Sequence, residues 1–180
     1  MDHRSSEIAK RMPIGQALVA VEVGVKNGKN AEKMLTIMPD LKLFLVDTWE
    51  KPLVGSSYYN SGDAVAAHPP SFFKRAFRET RNNTVRFGSR AVMMKTTSGT
   101  AAAQFAASGD RFDFVFIDAD HSYEGVTADI LQWWPLVTHG GYLCGHDYDN
   151  PRIGEVKRAV DRKFKKVELG LDMTWFVSKR

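Results

Sequence analysis

Short apolar runs that alternate with helix-like segments constrain the fold of this chain most strongly. The runs are rich in Val, Leu, Ile and Phe and lie at residues 17–21, 41–46, 91–95, 112–117 and 141–145. Apolar residues recur at helical spacing in residues 30–37, 71–81, 99–107, 126–137 and 154–165. Apolar strands joined by helices form a mostly parallel sheet that is covered on both faces. We therefore predict a doubly wound α/β fold, with helices on both faces, built as a single domain over residues 1–180.

The remaining segments complete this prediction. Residues 167–169 and 174–177 are predicted to be two short strands joined by a hairpin, which adds an antiparallel edge to the sheet. Asn30 is predicted to cap the helix that follows it. Residues 50–70 carry Gly, Ser, Asn, Pro and two tyrosines, and two interpretations stay open: a lid or substrate loop, and a disordered insertion.

Composition and charge exclude several classes of protein. The N-terminal residues lack the apolar core of a signal peptide, and no stretch approaches the roughly 20 apolar residues of a membrane span, so we expect a cytoplasmic protein without a membrane partner. Cys144 is the single cysteine and is interpreted as a buried, inert thiol. The net charge is +4, with a basic cluster in residues 152–166. An apolar stripe at helical spacing accompanies the cluster, which favours a solvated helix face over a nucleic-acid site.

The ends of the predicted strands are the places to look for chemistry, because ligands of such sheets bind beyond the carboxyl ends of the strands. The first strand ends at Glu22, and Gly24 and Gly28 follow in a turn where the backbone can approach a ligand closely. Asp47 ends the second strand, 23 residues after Gly24 (47 − 24), which suits a carboxylate that binds ribose hydroxyls. Trp49 lies just beyond Asp47 and could cover an adenine ring. The alternative that stays open is that Asp47 caps a helix and Trp49 belongs to the core.

Polar residues also follow the third, fourth and fifth strands. Thr97 and Ser98 offer hydroxyls either to a ligand or to the cap of the next helix. The fourth and fifth strand tips offer a set of acids and imidazoles: Asp118, Asp120, His121, His146 and Asp147. Such groups from neighbouring tips can jointly hold a divalent cation such as Mg²⁺. The alternative is that Asp118 serves only the cofactor or a helix cap, and that His121 caps the next turn.

Four stretches carry a resemblance to a known family. They are VEVGVKNGKN (21–30), FLVDTWE (44–50), FDFVFIDADHSYEGVTADI (112–130) and GGYLCGHDYDNP (140–151). The chain resembles the class I S-adenosylmethionine-dependent methyltransferases over about residues 15–180. Within them it is most similar to the methyltransferase family 24 type, relatives of the macrolide-sugar O-methyltransferases and the cephalosporin-hydroxylase-like proteins.

The resemblance implies a Rossmann-like methyltransferase fold and a role for each matching residue. Glu22 and Gly24 would line the methionine end of S-adenosylmethionine, and Ser98 would lie near the adenine. The implied cofactor-binding set is Glu22, Gly24, Val25, Gly28, Asp47, Thr48, Trp49, Ser98 and Asp118. Asp118, His146 and Asp147 would hold Mg²⁺ or another divalent cation. His146 stands where relatives often carry an acid, and Thr97 stands where many carry an acid near the adenine amino group.

The predicted function is methyl transfer to a hydroxyl oxygen of a small molecule or sugar. The resemblance implies metal assistance, with His121 as the general base and Asp118 beside it. A nitrogen or carbon acceptor is an open alternative, and so is a non-catalytic cofactor-binding subunit. Few residues precede the first strand, so almost no N-terminal cap over the site is expected, and a second subunit of a homo-oligomer is one way to close it. A nicotinamide dehydrogenase would account for Asp47. It would not account for Glu22, and Lys26 stands where the G-x-G-x-x-G motif of such enzymes has its second glycine.

Overall fold

The predicted alternation of strands and helices is present in the computed structural model, which describes residues 3–180. The strands are β1 (Leu18–Val23), β2 (Leu41–Asp47), β3 (Ala91–Lys95), β4 (Phe112–Ile117), β5 (Val137–Gly145), β6 (Glu168–Leu169) and β7 (Trp175–Ser178). The helices are α1 (Arg4–Ala9), α2 (Lys29–Ile37), α3 (Ser57–Asn60), α4 (Pro70–Thr84), α5 (Ser98–Ser108), α6 (Tyr123–Trp133) and α7 (Glu155–Lys163). Two 3₁₀ segments, Val85–Arg90 and Trp134–Leu136, lead into β3 and β5.

One sheet joins all the strands of residues 3–180, in the order β3-β2-β1-β4-β5-β7-β6. The strands β1 to β5 are parallel, while β7 pairs antiparallel with β5 and β6 forms the edge. The predicted fold class and its antiparallel C-terminal hairpin are therefore confirmed. Strand order reverses beside β1, which lies between β2 and β4, so a crevice forms at the carboxyl ends of these strands.

Apolar side chains cover both faces of the sheet. On one face, Phe105 of α5, Trp133 of α6 and Val160 of α7 pack into a single cluster with the inward residues of the strands. On the other face, Ile8 of α1 and Met34 of α2 belong to a second cluster. Cys144 lies fully buried in that second cluster, as expected of an inert thiol. Because both faces are filled, polar groups at the strand tips are the part of the sheet that remains open to a ligand.

Three local predictions need correction or refinement. Asn30 is not the cap of α2, because the helix starts one residue earlier and Gly28 is its N-cap, with φ of +75°. Residues 50–70 contain one helical turn, α3, which Ser56 caps by accepting a hydrogen bond from the N–H of Tyr59. The structure also contains α1, a helix that the sequence pattern did not indicate.

The basic C-terminal helix has the predicted arrangement. Val156, Ala159 and Val160 are buried on one side of α7, while its lysines and arginines are exposed on the other. Within the described part of the chain, none of the helices is both long and apolar enough to cross a membrane.

Candidate functional site

A cavity of about 720 Å³ lies where the carboxyl ends of β1 to β5 meet. Its wall contains every residue of the predicted site except Gly28: Glu22, Gly24, Val25, Asp47, Thr48, Trp49, Ser98, Asp118, His121, His146 and Asp147. Gly28 instead lies against α4, where an added Cβ would be 3.0 Å from the Cα of Thr80. The sequence therefore located the cavity, although the individual roles of these residues stay predictions.

Gly24 allows the turn after β1 to lie directly against the tip of β4. Its φ is +86°, and an added Cβ would be 2.2 Å from the carbonyl oxygen of Asp118. The Gly24 N–H donates to the carbonyl of Val46 (2.9 Å), and the Asp118 N–H donates to the carbonyl of Val23 (2.8 Å). The tips of β1, β2 and β4 are thus tied together at the floor of the cavity, and only glycine fits at this position.

Asp47 holds the turn after β1 in place. Its Oδ2 accepts hydrogen bonds from the N–H groups of Val25 and Lys26, both at 2.9 Å, and its Oδ1 accepts from the N–H of Trp49 at 2.7 Å. Burial raises the pKa of Asp47, and these backbone hydrogen bonds oppose that rise. Trp49 is 2% exposed and donates its indole N–H to the carbonyl of Lys26 (2.8 Å). Trp49 therefore has the core position that the sequence suggested as an alternative, and it also lines the cavity.

We expect Asp47→Ala to weaken the binding of S-adenosylhomocysteine roughly 10- to 100-fold, because the turn loses its anchor and the predicted ribose contact is lost. Isothermal titration calorimetry checks this. Asp113→Ala is a matched control. Asp113 lies near the start of β4 and outside the cavity wall, and it also accepts a backbone N–H, from Val19 at 2.8 Å. Unchanged affinity in Asp47→Ala would show that the ribose assignment is wrong.

Glu22 is a buried acid at the end of β1. It is 1% exposed, its Oε1 accepts a hydrogen bond from Asn30 Nδ2 (2.8 Å), and its Oε2 has no hydrogen-bond partner among residues 3–180. Burial raises the pKa of Glu22 to about 8, against the effect of the Asn30 hydrogen bond. An ammonium group in the cavity would compensate this acid, which suits its predicted place at the methionine end of the cofactor.

Asp118, His121 and Asp147 converge in the cavity wall beyond the ends of β4 and β5. The Nε2 of His121 lies 3.3 Å from Asp118 Oδ1 and 3.2 Å from Asp147 Oδ2. Burial lowers the pKa of His121. Hydrogen bonds with Asp118, Asp147 and a third acid, Asp63, outweigh this effect and raise the pKa to about 12. The imidazolium form is therefore the stable one while these carboxylates surround it.

His146 lies at the edge of this group. Its Nδ1 is 2.9 Å from Asp147 Oδ2 and 3.9 Å from Asp118 Oδ1. Burial raises the pKa of Asp147, but the neighbouring His121 and His146 outweigh this effect and hold the pKa well below its usual range. Asp147 itself has a φ of +61°, a strained conformation for a residue with a side chain. Strain of this kind clusters at functional sites. The Oδ2 of Asp147 contacts both imidazoles, at 3.2 Å from His121 Nε2 and 2.9 Å from His146 Nδ1.

The donor set fits a divalent cation. One ligand atom from each of Asp118, His121 and Asp147 lies within 4.8 Å of the others. Two carboxylate oxygens and one imidazole nitrogen are ligands for several divalent metals. The sequence assigned His146 rather than His121 to the metal, whereas in the structure the imidazole of His121 is the nearer of the two to Asp118, at 3.3 Å against 3.9 Å. The choice between these two histidines stays a prediction.

The loop between β2 and α4 contributes a residue that the sequence did not single out. Asp63 Oδ2 lies 2.8 Å from Nδ1 of His121, and Asp63 Oδ1 accepts the N–H of Val65 at 2.8 Å. Ser57 of α3 donates to Asp120 Oδ2 at 3.4 Å. The loop therefore contacts the β4 tip at two points, and Asp63 fixes the orientation of the His121 ring.

The cavity wall at Ser98 holds a second acid that the sequence analysis missed, Asp129. Ser98 donates a short hydrogen bond to Asp129 Oδ1 and accepts the indole N–H of Trp133 at 2.8 Å. Thr97 caps α5 by accepting the N–H of Thr100 at 3.2 Å. Burial raises the pKa of Asp129 to about 7. Asp129 lies within the stretch 112–130 that carries the family resemblance, so the signal was present but unused.

Comparison with known families and proteins agrees with this geometry. Residues 21–148 match the Methyltransf_24 family model, described as a methyltransferase domain. Among curated protein sequences, none is significantly similar to the chain.

Solved structures of methyltransferases share the fold. CalS11, a calicheamicin methyltransferase that is also described as a TDP-rhamnose 3′-O-methyltransferase, superposes with a TM-score of 0.72 at 14% identity, over 97% of this chain and 77% of its own. The O-methyltransferase NovP gives 0.65 at 20% identity, over 98% of this chain and 79% of its own. TomG from Streptomyces achromogenes, an O-methyltransferase of tomaymycin synthesis solved with S-adenosylmethionine, gives 0.63 at 13% identity, over 98% and 78%. At these identities the likeness concerns the fold.

Proposed function

The chain belongs to the Methyltransf_24 family of methyltransferase domains, and from this premise we propose that it transfers the methyl group of S-adenosylmethionine to a hydroxyl oxygen of a small molecule or sugar. The observation that carries the proposal is the group formed by Asp118, His121 and Asp147 in the cavity wall. Structural neighbours that methylate oxygen, CalS11 and NovP among them, support the choice of acceptor atom.

Methyl transfer from a sulfonium is an in-line displacement, so the protein acts chiefly by alignment. Glu22 and Asp47 line the cavity at the carboxyl ends of β1 and β2 and would hold the methionine and ribose parts of the cofactor. The acceptor hydroxyl would then approach from the side of His121 and Asp147. The loop with α3 lies beside that approach and would form the acceptor wall, in line with its interpretation as a substrate loop.

A hydroxyl is a weak nucleophile until it loses its proton, and His121 is the side chain placed to take it. Asp63 holds Nδ1 of His121, so Nε2 faces the cavity. Because Asp118 and Asp147 raise the pKa of His121, a second cation bound by these two acids would lower that pKa and leave His121 able to accept the proton. Those two acids, with His121 or His146, would hold a divalent ion, whose chemistry is to lower the pKa of a bound hydroxyl.

Transfer of a ¹³C-labelled methyl group tests the proposal. The protein is incubated with [methyl-¹³C]S-adenosylmethionine and acceptors that include TDP-rhamnose, free sugars, phenols and amines. The chemical shift of the product methyl carbon distinguishes attachment to oxygen, nitrogen and carbon. We expect a methyl ether, and a methyl group on nitrogen or carbon would overturn the choice of acceptor atom in favour of the alternative stated above.

Removal of divalent metal is expected to lower the rate of transfer at least roughly 100-fold, and Mg²⁺ or another divalent ion is expected to restore it. Asp147→Asn should abolish this response. Asp149→Asn is the matched control, because Asp149 is exposed and lies two residues further along the chain. Activity that neither the chelator nor Asp147→Asn changes would show that methyl transfer does not use a divalent metal.

A cytoplasmic location, a homo-oligomeric assembly and the absence of a nucleic-acid partner remain predictions from the sequence. Size-exclusion chromatography with light scattering checks the assembly.

A further inference from the structure

The helix α1 brings a cation into the wall of a cavity that holds several acids. Nη1 of Arg4 lies 2.7 Å from Asp118 Oδ2, and its Nε lies 3.9 Å from Asp172 Oδ2. The Arg4 side chain is 25% exposed and lines the same cavity as Glu22 and Gly24. The short helix α1 thus contributes one residue to the cavity wall, and the expectation of almost no N-terminal cap over the substrate site stays a prediction.

Contacts around Arg4 fix its position relative to Glu22. Ile8 anchors α1 in the core and is fully buried. Ser5, the next residue after Arg4, donates to Asn30 Oδ1 at 2.8 Å, and Asn30 Nδ2 donates to Glu22 Oε1 at 2.8 Å. A continuous chain of hydrogen bonds thus joins α1 to the end of β1 and fixes the backbone from which Arg4 extends, while the ion pair with Asp118 fixes the guanidinium.

The two oxygens of Asp118 face different partners. Oδ2 contacts Arg4, whereas Oδ1 lies 3.3 Å from His121 Nε2. Asp118 therefore separates a region with Arg4 and Glu22 from the acid–imidazole group at the predicted site of methyl transfer. A charged group bound beside Arg4 need not disturb His121.

An amino-acid group has the charges that match this region. Its ammonium suits Glu22, whose second carboxylate oxygen is buried without a partner among residues 3–180. Its carboxylate would be repelled by Glu22 and Asp118 unless a cation lay between them. A planar guanidinium binds carboxylates through paired N–H groups and can contact two of them at once.

We propose that Arg4 is a specificity-determining residue that binds the α-carboxylate of the cofactor's methionine moiety. Arg4 would distinguish S-adenosylmethionine and S-adenosylhomocysteine from adenosine thioethers that lack the carboxylate. The proposal rests on the use of this cavity by the cofactor and is independent of the acceptor.

Calorimetry with two ligands tests it. The first is S-adenosylhomocysteine, and the second is S-adenosyl-3-thiopropylamine, which keeps the ammonium and lacks only the carboxylate. We expect the wild-type protein to bind the first roughly 10- to 100-fold more tightly. In Arg4→Met this ratio should fall to about one, because S-adenosylhomocysteine loses affinity and the amine does not. Arg4→Lys, which keeps the charge and loses the paired N–H groups, should lie between them.

Lys10→Met is the matched control, since it also removes one positive charge just after α1, from a side chain that is 62% exposed and pairs with Glu7. It should keep the wild-type ratio. A wild-type ratio near one, or a ratio that Arg4→Met leaves unchanged, would overturn the proposal while the cofactor assignment stands. The wild-type ratio needs no variant, so the test holds even where Arg4→Met does not fold. Failure of the wild-type protein to bind either ligand would overturn the cofactor assignment and this proposal with it.

Discussion

Gly24→Ala is expected to abolish binding of S-adenosylhomocysteine and to lower the free energy of unfolding by more than about 3 kcal/mol. An added Cβ would lie 2.2 Å from the carbonyl oxygen and 2.5 Å from the carbonyl carbon of Asp118, and 2.6 Å from the Cα of Ala119. All three are backbone atoms, so no side-chain rotation relieves the clash. The tips of β1 and β4 would have to separate, which breaks the hydrogen bonds that form the cavity floor.

Gly109→Ala is the matched control for this prediction. Gly109 has a φ of +78°, close to the +86° of Gly24, but an added Cβ would have nothing within 4 Å. It should therefore show only the conformational cost of alanine in the left-handed region, about 1 kcal/mol. Urea unfolding of both variants measures the difference. Equal losses would mean that the close approach of Gly24 to Asp118 does not exist in solution.

His121→Gln is expected to lower the rate of methyl transfer roughly 100- to 10,000-fold while the affinity for S-adenosylhomocysteine changes by less than about twofold. The reason is that the side chain that accepts the proton of the acceptor hydroxyl is lost, whereas the contacts with the cofactor remain. Rates are measured with the acceptor that the wild-type protein methylates in the ¹³C experiment. His139→Gln is the control, because His139 is exposed at the opposite end of β5.

Asp63→Asn separates the orienting role from the chemical one. It keeps the size of the side chain but removes the charge beside Nδ1 of His121, so we expect a smaller fall in rate than for His121→Gln. The metal concentration that gives half the maximal rate distinguishes a His121 that acts as the base from one that binds the metal. If His121 is only the base, His121→Gln leaves this concentration unchanged. If His121 is a metal ligand, His121→Gln raises it. Full activity in His121→Gln would contradict the proposed role of this residue.

The fold follows from local patterns, and so does the location of the site. Asp118 and Asp147 end β4 and β5, which are neighbouring parallel strands, so their convergence could be predicted from the alternation of apolar runs and helices. Asp47 was placed at the cavity by the same reasoning, since β2 lies next to β1.

Long-range contacts explain what the sequence could not supply. Arg4 meets Asp118 across 114 residues and Asp63 meets His121 across 58, and both contacts depend on how a short segment docks. The helix α1 has only six residues, and the burial of Ile8 rather than a repeating pattern holds it in place. Asn30 was misassigned for a related reason, because its side chain bonds to Glu22 and Ser5 rather than to the first turn of its own helix.

Titration of the purified protein with S-adenosylhomocysteine would show whether the cavity at the carboxyl ends of β1 to β5 holds the cofactor. We expect one molecule to bind per chain, with a dissociation constant in the micromolar range; Asp47→Ala should weaken this binding and Gly24→Ala should abolish it. Absence of binding to the wild-type protein, or binding that both substitutions leave unchanged, would contradict this assignment of the cavity.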